Sequence, residues 1–328
     1  MKPLLCALFA FAFLWIPKNA RSELAPGSLD MHWNEGSADC TKHPQPPIEV
    51  HRYNAQTFIL REGLCATYEA PFMYLLVGSS KALLIDSGDV ADATRMPLAQ
   101  TVMSLLPNVG AAKMPLIVVH THGHLDHRAG DPQFAQLPNV QVVPTDLEHV
   151  KQYFGFTDWP RGQAQVDLGN RTVDVIPTPG HYPSHVSYYD RATGLFFSGD
   201  FFLPGRLFIA DTRADQASAQ RVADFIRDRP VSAVLGGHVE LDADGNTFDW
   251  GSNYHPHERA LPMTKSDLLG LPSIVASFNG FYDQHGVFVM LNQMRVLVAE
   301  VVVLLLVLVG MGWLVWRYLR RRKGRVVR

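Results

Sequence analysis

Short apolar runs, each closed by a glycine or a polar turn, dominate the middle of the chain. Two of them, 72–77 and 81–85, flank a Gly-Ser-Ser turn and predict a β-hairpin. Other apolar runs predict strands, and apolar residues recurring three or four positions apart predict helices. The strands are expected at 116–119, 172–176, 186–189, 195–198 and 231–235, and the helices at 97–106, 145–153 and 216–227. Polar clusters follow several strands directly, which predicts a site built from loops along one sheet edge.

Both ends of the chain are apolar, and their lengths point to different roles. Residues 4–16 form a charge-free run that is too short to cross a bilayer as a helix and is typical of a secretory signal peptide. Residues 296–316, interrupted only by Glu300, at about 1.5 Å each span the roughly 30 Å hydrocarbon core. The alternative is a buried core helix with a nucleic-acid-binding tail, which is disfavoured because so long an aliphatic stretch is rare in soluble folds.

Charge completes the predicted organisation. The last twelve residues hold seven of the 29 basic side chains and no acidic one, so the positive-inside rule places the C-terminus in the cytoplasm and the body outside it, in the periplasm if the source is bacterial. The expected parts are a signal peptide (1–20), a linker or irregular arm (21–49), a folded body (50–292), a transmembrane helix (296–316) and a basic cytoplasmic tail (317–328).

Net charge and the cysteines bear on the partners of the protein and on disulfide formation. Without the basic tail the chain carries a net charge of about −9, which gives no electrostatic footprint for nucleic acid. Cys6 lies in the expected signal peptide. Cys40 and Cys65 are free to form a disulfide in an oxidising compartment, although none is required, and both are distant in sequence from the histidines described next.

Residues 120–127 read HTHGHLDH, with four histidines and an aspartate in eight positions. His122 and His124 alternate across a glycine and can share one metal, whereas Asp126 and His127 point to a neighbouring position. Three further donors follow later strands, in the same arrangement of a strand end and then a ligand: His181 in PGH, Asp200 in SGD and His238 in GGH. Seven donors suffice for two metals if Asp200 bridges them.

These motifs, with Asp86 at the end of an early strand, resemble those of the metallo-β-lactamase-fold superfamily, in particular its glyoxalase II-like and lactonase-like members with HxHxDH. The resemblance implies an α+β fold, a four-layer αββα sandwich, here followed by the transmembrane helix. It also implies two Zn²⁺ ions, with iron or manganese as alternatives in one site. The implied ligands are His122, His124 and His181 for one metal and Asp126, His127 and His238 for the other, with Asp200 as the bridge. Asp126 and Asp200 are also the implied catalytic carboxylates, and Asp86 is implied to orient the ligand loop. His185 stands where the family often carries a second histidine, and its role is open.

The resemblance further implies hydrolysis, with a metal-bridged hydroxide attacking an ester, thioester or lactone carbonyl of a small acyl substrate. Asp200 disfavours a true β-lactamase, and an outward-facing body fits poorly with a glyoxalase II acting on a cytoplasmic thioester. Hydrolysis of β-lactams or phosphodiesters and a non-enzymatic, membrane-tethered metal-binding module remain alternatives. Residues 201–209 and 252–259 are expected to shape the pocket, with Arg206 pairing with an anionic substrate and Tyr254, His255 or His257 donating a proton.

Overall fold

The computed structural model describes residues 23–323, so the predicted signal peptide and the last five residues of the predicted tail lie outside the described residues. The strands are β1 (Ile48–Asn54), β2 (Thr57–Glu62), β3 (Phe72–Val77), β4 (Ala82–Ile85), β5 (Asn108–Val109), β6 (Ala112–Lys113), β7 (Leu116–Val119), β8 (Val140–Val142), β9 (Ala164–Asp167), β10 (Thr172–Pro177), β11 (Val186–Asp190), β12 (Leu195–Gly199), β13 (Arg206–Phe208), β14 (Ala233–Gly236), β15 (Tyr282–His285) and β16 (Phe288–Leu291). The helices are α1 (Leu98–Leu105), α2 (Asp131–Phe134), α3 (Leu147–Phe154), α4 (Thr212–Ile226), α5 (Lys265–Ser277) and α6 (Gln293–Lys323), with a 3₁₀ turn at Leu125–His127.

Two large sheets face each other across the main core. One has the strand order β1-β2-β3-β4-β7-β8 and the other β14-β12-β11-β10-β9. Strand β3 is buried on both faces, because alternate residues enter different cores: Tyr74 points between the sheets, and its neighbour Leu75 points to the outer layer beneath α1 and α2. Helices α4 and α5 cover the outer face of the second sheet. The predicted α+β fold, an αββα sandwich, is confirmed.

Two further features join this sandwich to the rest of the chain. A small sheet with the order β13-β16-β15 leads directly into α6. Within α6, the segment Gln293–Tyr318 contains an 18-residue window with a mean hydropathy of 2.6 and no buried residue, so this helix is long and apolar enough to cross a membrane. At the other end, the irregular segment before β1 lies against the domain, where Trp33 packs edge-on against Phe72 and a Cys40–Cys65 disulfide ties the segment to the loop after β2.

Candidate metal centre

The histidine and aspartate motifs meet because the strands that deliver them point the same way. Strands β4 and β7 are parallel neighbours in the first sheet, and β12 and β14 are parallel neighbours in the second. Their carboxyl ends therefore lie along one edge of the sandwich, where the chain continues into Asp86, the 120–127 loop, Asp200 and His238. The loop after β10 brings His181 to the same edge.

The first cluster consists of His122, His124 and His181, whose ligand nitrogens all lie within 4.8 Å of one another. His124 presents Nδ1, which lies 2.9 Å from Nε2 of His122 and 3.0 Å from Nε2 of His181. Three imidazole nitrogens that converge on one point form the donor set that zinc and other divalent transition metals prefer.

The second cluster consists of Asp126, His127, Asp200 and His238. Nε2 of His127 lies 3.1 Å from Nε2 of His238, and Oδ2 of Asp126 lies 3.3 Å and 3.2 Å from these two nitrogens. Gly237 makes this approach feasible, because a Cβ at that position would collide with Oδ1 of Asp200 and the ring of His127.

Asp200 lies between the two clusters and turns one oxygen toward each. Its Oδ2 is 4.0 Å from Nε2 of His122 and 3.7 Å from Nε2 of His181. Its Oδ1 is 3.4 Å from Nε2 of His127 and 3.7 Å from Nε2 of His238, and this buried oxygen has no hydrogen-bond partner among the described residues. A carboxylate in this position can serve both clusters at once.

Hydrogen bonds on the far side of the rings fix which nitrogen faces the cluster. Nδ1 of His181 lies 2.8 Å from the carbonyl oxygen of Phe208, and Nδ1 of His238 lies 2.7 Å from that of Glu69. Because a carbonyl oxygen only accepts, Nδ1 carries the proton and Nε2 keeps a free lone pair.

Asp86 orients His127 in the same way. Its Oδ2 lies 3.0 Å from Nδ1 of His127, while its Oδ1 accepts a hydrogen bond from the Thr121 amide at 2.7 Å. Asp86 holds a left-handed backbone conformation with φ of 66°, which is rare outside glycine. The surrounding packing therefore maintains an unfavourable conformation that keeps this carboxylate against the ligand loop.

The electrostatics of the two clusters differ. Burial lowers the pKa of His122 and His181, which keeps both imidazoles neutral and able to coordinate. Burial acts in the same direction on His238, but nearby carboxylates, Asp200 first, outweigh it and raise its pKa to about 10. The pKa of His127 is raised well above its usual range for the same reason. The carboxylates of the second cluster therefore favour positive charge at His127 and His238, which a divalent cation would supply in place of the protons.

The residues present fit metal ions. Ligand atoms around a tetrahedral zinc with bonds of about 2.1 Å lie roughly 3.4 Å apart. The nitrogen and oxygen separations given above run from 2.9 Å to 4.0 Å and bracket that value, and all ligand atoms within a cluster lie within 4.8 Å of one another. The unpartnered Oδ1 of Asp200 is also accounted for if it is a metal ligand.

Comparison with known proteins identifies the family. The model of the family described as "Metallo-beta-lactamase superfamily" matches residues 67–238, just over half of the chain. The chain belongs to the metallo-beta-lactamase superfamily. The resemblance inferred from the motifs is therefore confirmed, and with it the prediction that the chain is a metallo-hydrolase.

Among curated relatives, this superfamily member is 25% identical over 216 residues to the acyl-coenzyme A thioesterase MBLAC2 of Gallus gallus, a match that covers 56% of this chain and 77% of the relative. It is 26% identical over 210 residues to a hydroxyacylglutathione hydrolase of Aeromonas hydrophila, covering 62% and 75% of the two chains. Among solved structures, a metallo-beta-lactamase from Pontibacter korlensis is 17% identical with a TM-score of 0.48, covering 70% of this chain and all of that one.

A cavity of about 190 Å³ in this superfamily member is lined by ligands of both clusters. Arg206 lines it, as expected, but its guanidinium lies 3.4 Å from Glu240 and 5.0 Å above the ring of Trp250. Its charge is therefore already compensated. Apart from the predicted ligands and Arg206, the lining residues are Glu69, Leu203, Phe208, Glu240, Trp250 and Gln293.

The structure does not bring Tyr254, His255 and His257 to this cavity, contrary to the expectation that one of them donates a proton there. Residues 252–259 instead contact the irregular segment before β1. Tyr254 forms an isolated β-bridge with Gly36, and the amide of His257 donates to the side chain of Glu35. The His255 ring is buried, stacked on a phenylalanine and bonded to a glutamate.

His185 lies behind the first cluster. Its ring stacks on that of His122 with the centroids 5.1 Å apart, and its Nδ1 lies 2.8 Å from the hydroxyl of Thr178. Burial holds the pKa of His185 well below its usual range, so the ring is neutral. Its ring nitrogens are not part of either ligand cluster.

The predicted stretch 201–209 lines the cavity through Leu203, Arg206 and Phe208, whereas sequence reasoning missed four lining residues, namely Glu69, Glu240, Trp250 and Gln293. Glu240 follows His238 by two residues, and Trp250 stands alone in a polar stretch, so each carried only a weak signal in the sequence for a place in the cavity wall. In the structure Trp250 is 56% exposed. Gln293 carried none, because only the pairing of β13 with β16 brings the start of α6 to the cavity.

Proposed function

We propose that the chain is a dinuclear metal-dependent hydrolase that cleaves a small acyl thioester, with esters and lactones as chemically related substrates. The observation that carries this proposal is Asp200, which turns one carboxylate oxygen toward the first cluster and the other toward the second. The named activities of two relatives, an acyl-coenzyme A thioesterase and a hydroxyacylglutathione hydrolase, favour the thioester.

The two clusters would hold two Zn²⁺ ions, with iron or manganese as the alternative in one of them. Divalent ions bound there supply a water nucleophile near neutral pH and polarise the substrate carbonyl. In the net reaction water adds to the carbonyl carbon, the C–S bond breaks, and the thiol leaves with a proton.

The protein contributes position and charge. Asp126 and Asp200 accept hydrogen bonds from the attacking water and hold negative charge at the reacting centre. Phe208 and Trp250, whose rings stack 5.7 Å apart, form an apolar wall beside the first cluster that limits access of bulk water. Arg206, which is paired with Glu240, lies over the ring of Trp250 and holds this part of the wall in place.

We further propose that α6 anchors the enzyme in a membrane, with the catalytic domain outside the cytoplasm and the C-terminus inside. The far end of the apolar stretch supports this assignment, since Arg317 and Arg320 lie over the rings of Trp313 and Trp316. Tryptophan and arginine at the end of an apolar helix are typical of a membrane interface on the cytoplasmic side.

The test uses the full chain in detergent micelles with Zn²⁺ and four substrates: an acetyl thioester, a lactone, a chromogenic cephalosporin and a bis(nitrophenyl) phosphate. We expect the thioester to give the highest kcat/KM and D200N to lower it by about 10²-fold or more. D244N, an exposed carboxylate away from the clusters, serves as the control. A preference for the cephalosporin or the phosphodiester contradicts the thioester assignment, and bound metal without turnover supports a non-enzymatic module.

A further inference from the structure

The metal cavity lies beside the base of α6 and shares lining residues with a groove there. We propose that the substrate is a long-chain acyl thioester that lies in the bilayer and enters the site laterally, with its acyl chain along the first turns of α6. This inference rests on the proposed function, because it assigns the source and the chain length of the substrate for that same site.

Three neighbouring cavities share lining residues. The metal cavity shares Trp250 and Gln293 with a groove of about 430 Å³ at the base of α6. That groove shares Val296 and Glu300 with a second groove of about 550 Å³ further along the helix. Apart from Glu300 the second groove is lined by apolar side chains, namely Phe281, Val296, Ala299, Val303, Leu304 and Val307.

Direct bonds fix the start of α6 against the metal site. Nδ1 of His181 bonds the carbonyl oxygen of Phe208, the last residue of β13, and β13 pairs with β16 immediately before the helix. Asn292, which is buried, donates from Nδ2 to the carbonyl oxygen of Ile209 at 2.8 Å and accepts from the Arg295 amide at 3.0 Å. The His181 side chain and the start of α6 are thus held by one small sheet, so a membrane that contains α6 would lie close to the cavity mouth.

The dimensions suit an acyl chain. From Gln293 to Val307 the lining extends about 21 Å along the helix at 1.5 Å per residue. One leaflet of a bilayer contributes roughly 15 Å of hydrocarbon, half of the ~30 Å core. An acyl chain standing in one leaflet beside α6 therefore covers roughly 15 Å of this lining, which leaves about 6 Å at the Gln293 end for the thioester carbonyl beside the metal cavity.

The surroundings also favour a lipid-like occupant. Trp250, Phe281 and Tyr282 are large rings that are 56%, 46% and 49% exposed near the base of α6. Aromatic rings of this kind are enriched at membrane interfaces. A soluble partner helix would leave the metal cavity empty, whereas an amphiphile fills both the apolar grooves and the polar site.

The experiment uses the full chain reconstituted in phosphatidylcholine vesicles and two thioesters of the same thiol, one acetyl and one hexadecanoyl. The test variant A299F fills the groove while it keeps the helix apolar, and the control V298F adds the same ring on the opposite face of the helix. Metal content of every preparation reports whether the site is intact.

We expect the wild type to prefer the hexadecanoyl thioester by at least about tenfold in kcat/KM, and A299F but not V298F to lower this preference by about tenfold. Wild-type hydrolysis of the acetyl thioester without a long-chain preference, or equal effects of A299F and V298F, overturns the lateral-entry proposal and leaves the proposed function standing. Absence of activity on both thioesters overturns the proposed function itself.

Discussion

At the scale of single residues, the candidate metal centre depends on groups that are not themselves ligands. The backbone carbonyls of Glu69 and Phe208 and the carboxylate of Asp86 each hold the outer nitrogen of a histidine. They fix the tautomer that leaves the inner nitrogen free to coordinate.

Replacing Asp86 with asparagine tests this arrangement without a change of shape. An amide offers one acceptor, whereas the Thr121 amide and Nδ1 of His127 each bond a different oxygen of Asp86. We expect D86N to lower metal affinity or activity by about 10- to 100-fold, measured by competition with a chelator. D131N changes a carboxylate that bonds His120 instead and should leave the affinity unchanged; equal losses in both variants would contradict the orienting role.

Glu62 gives a prediction for stability against pH. Its side chain is fully buried at the end of β2, Oε2 accepts from the Asp89 amide at 3.0 Å, and burial raises its pKa to about 8 from 4.5. Between pH 4.5 and 8 the folded state keeps a proton that the unfolded chain has lost, so the free energy of unfolding falls as pH rises through this window.

The isosteric variant E62Q removes this titration. We expect it to gain on the order of 4 kcal/mol in unfolding free energy relative to the wild type between pH 5 and pH 8.5, measured by denaturant titration at both values. E148Q, at an exposed position, is the control. Parallel pH dependence of E62Q and the wild type would show that Glu62 is ionised in the folded state.

Functional residues could be predicted where they lie in compact sequence motifs. They could not be predicted where folding brings distant segments together. The seven ligands stand in short patterns after apolar strands, and the structure brings all seven together. Tyr254, His255 and His257 have the same chemistry but serve the contact with the N-terminal segment. That contact depends on tertiary packing across some 200 residues, which no local pattern reports.

At the scale of elements, strands buried on both faces explain both the fold and its predictability. The predicted hairpin and the predicted strands after residue 115 all form, because continuous apolar runs admit few alternatives. The helix expected from residue 216 begins at Thr212 instead, since Asp211 caps it by accepting from the amides of Arg213 and Ala214. Helix α5 was missed although Thr264 and Asp267 form a capping box, because Pro272 interrupts its pattern.

The junction of β13, β16 and α6 links the candidate site to the long apolar helix. N292A removes the bond from Nδ2 to Ile209 and the cap on Arg295. We expect a loss of about 1–2 kcal/mol in unfolding free energy and faster amide exchange at Arg295, measured by denaturant titration and hydrogen exchange. Unchanged exchange at Arg295 would mean that the helix start is held by other contacts.

At the scale of the whole molecule, two sheets and their outer helices place all the ligand loops on one edge, and the small third sheet places α6 beside that edge. The sandwich and the apolar helix were separately predictable from composition and periodicity. Their proximity was not, because β13 and β16 are short, separated by about eighty residues, and pair in parallel.

The most direct test of this account is the number of metal ions per chain, measured by elemental analysis of the purified full chain and of D200N. The account predicts about two ions for the wild type and about one or fewer for D200N, since both clusters use an oxygen of Asp200. A single ion per chain that D200N leaves in place, or no ion in either protein, would contradict a dinuclear centre bridged by Asp200.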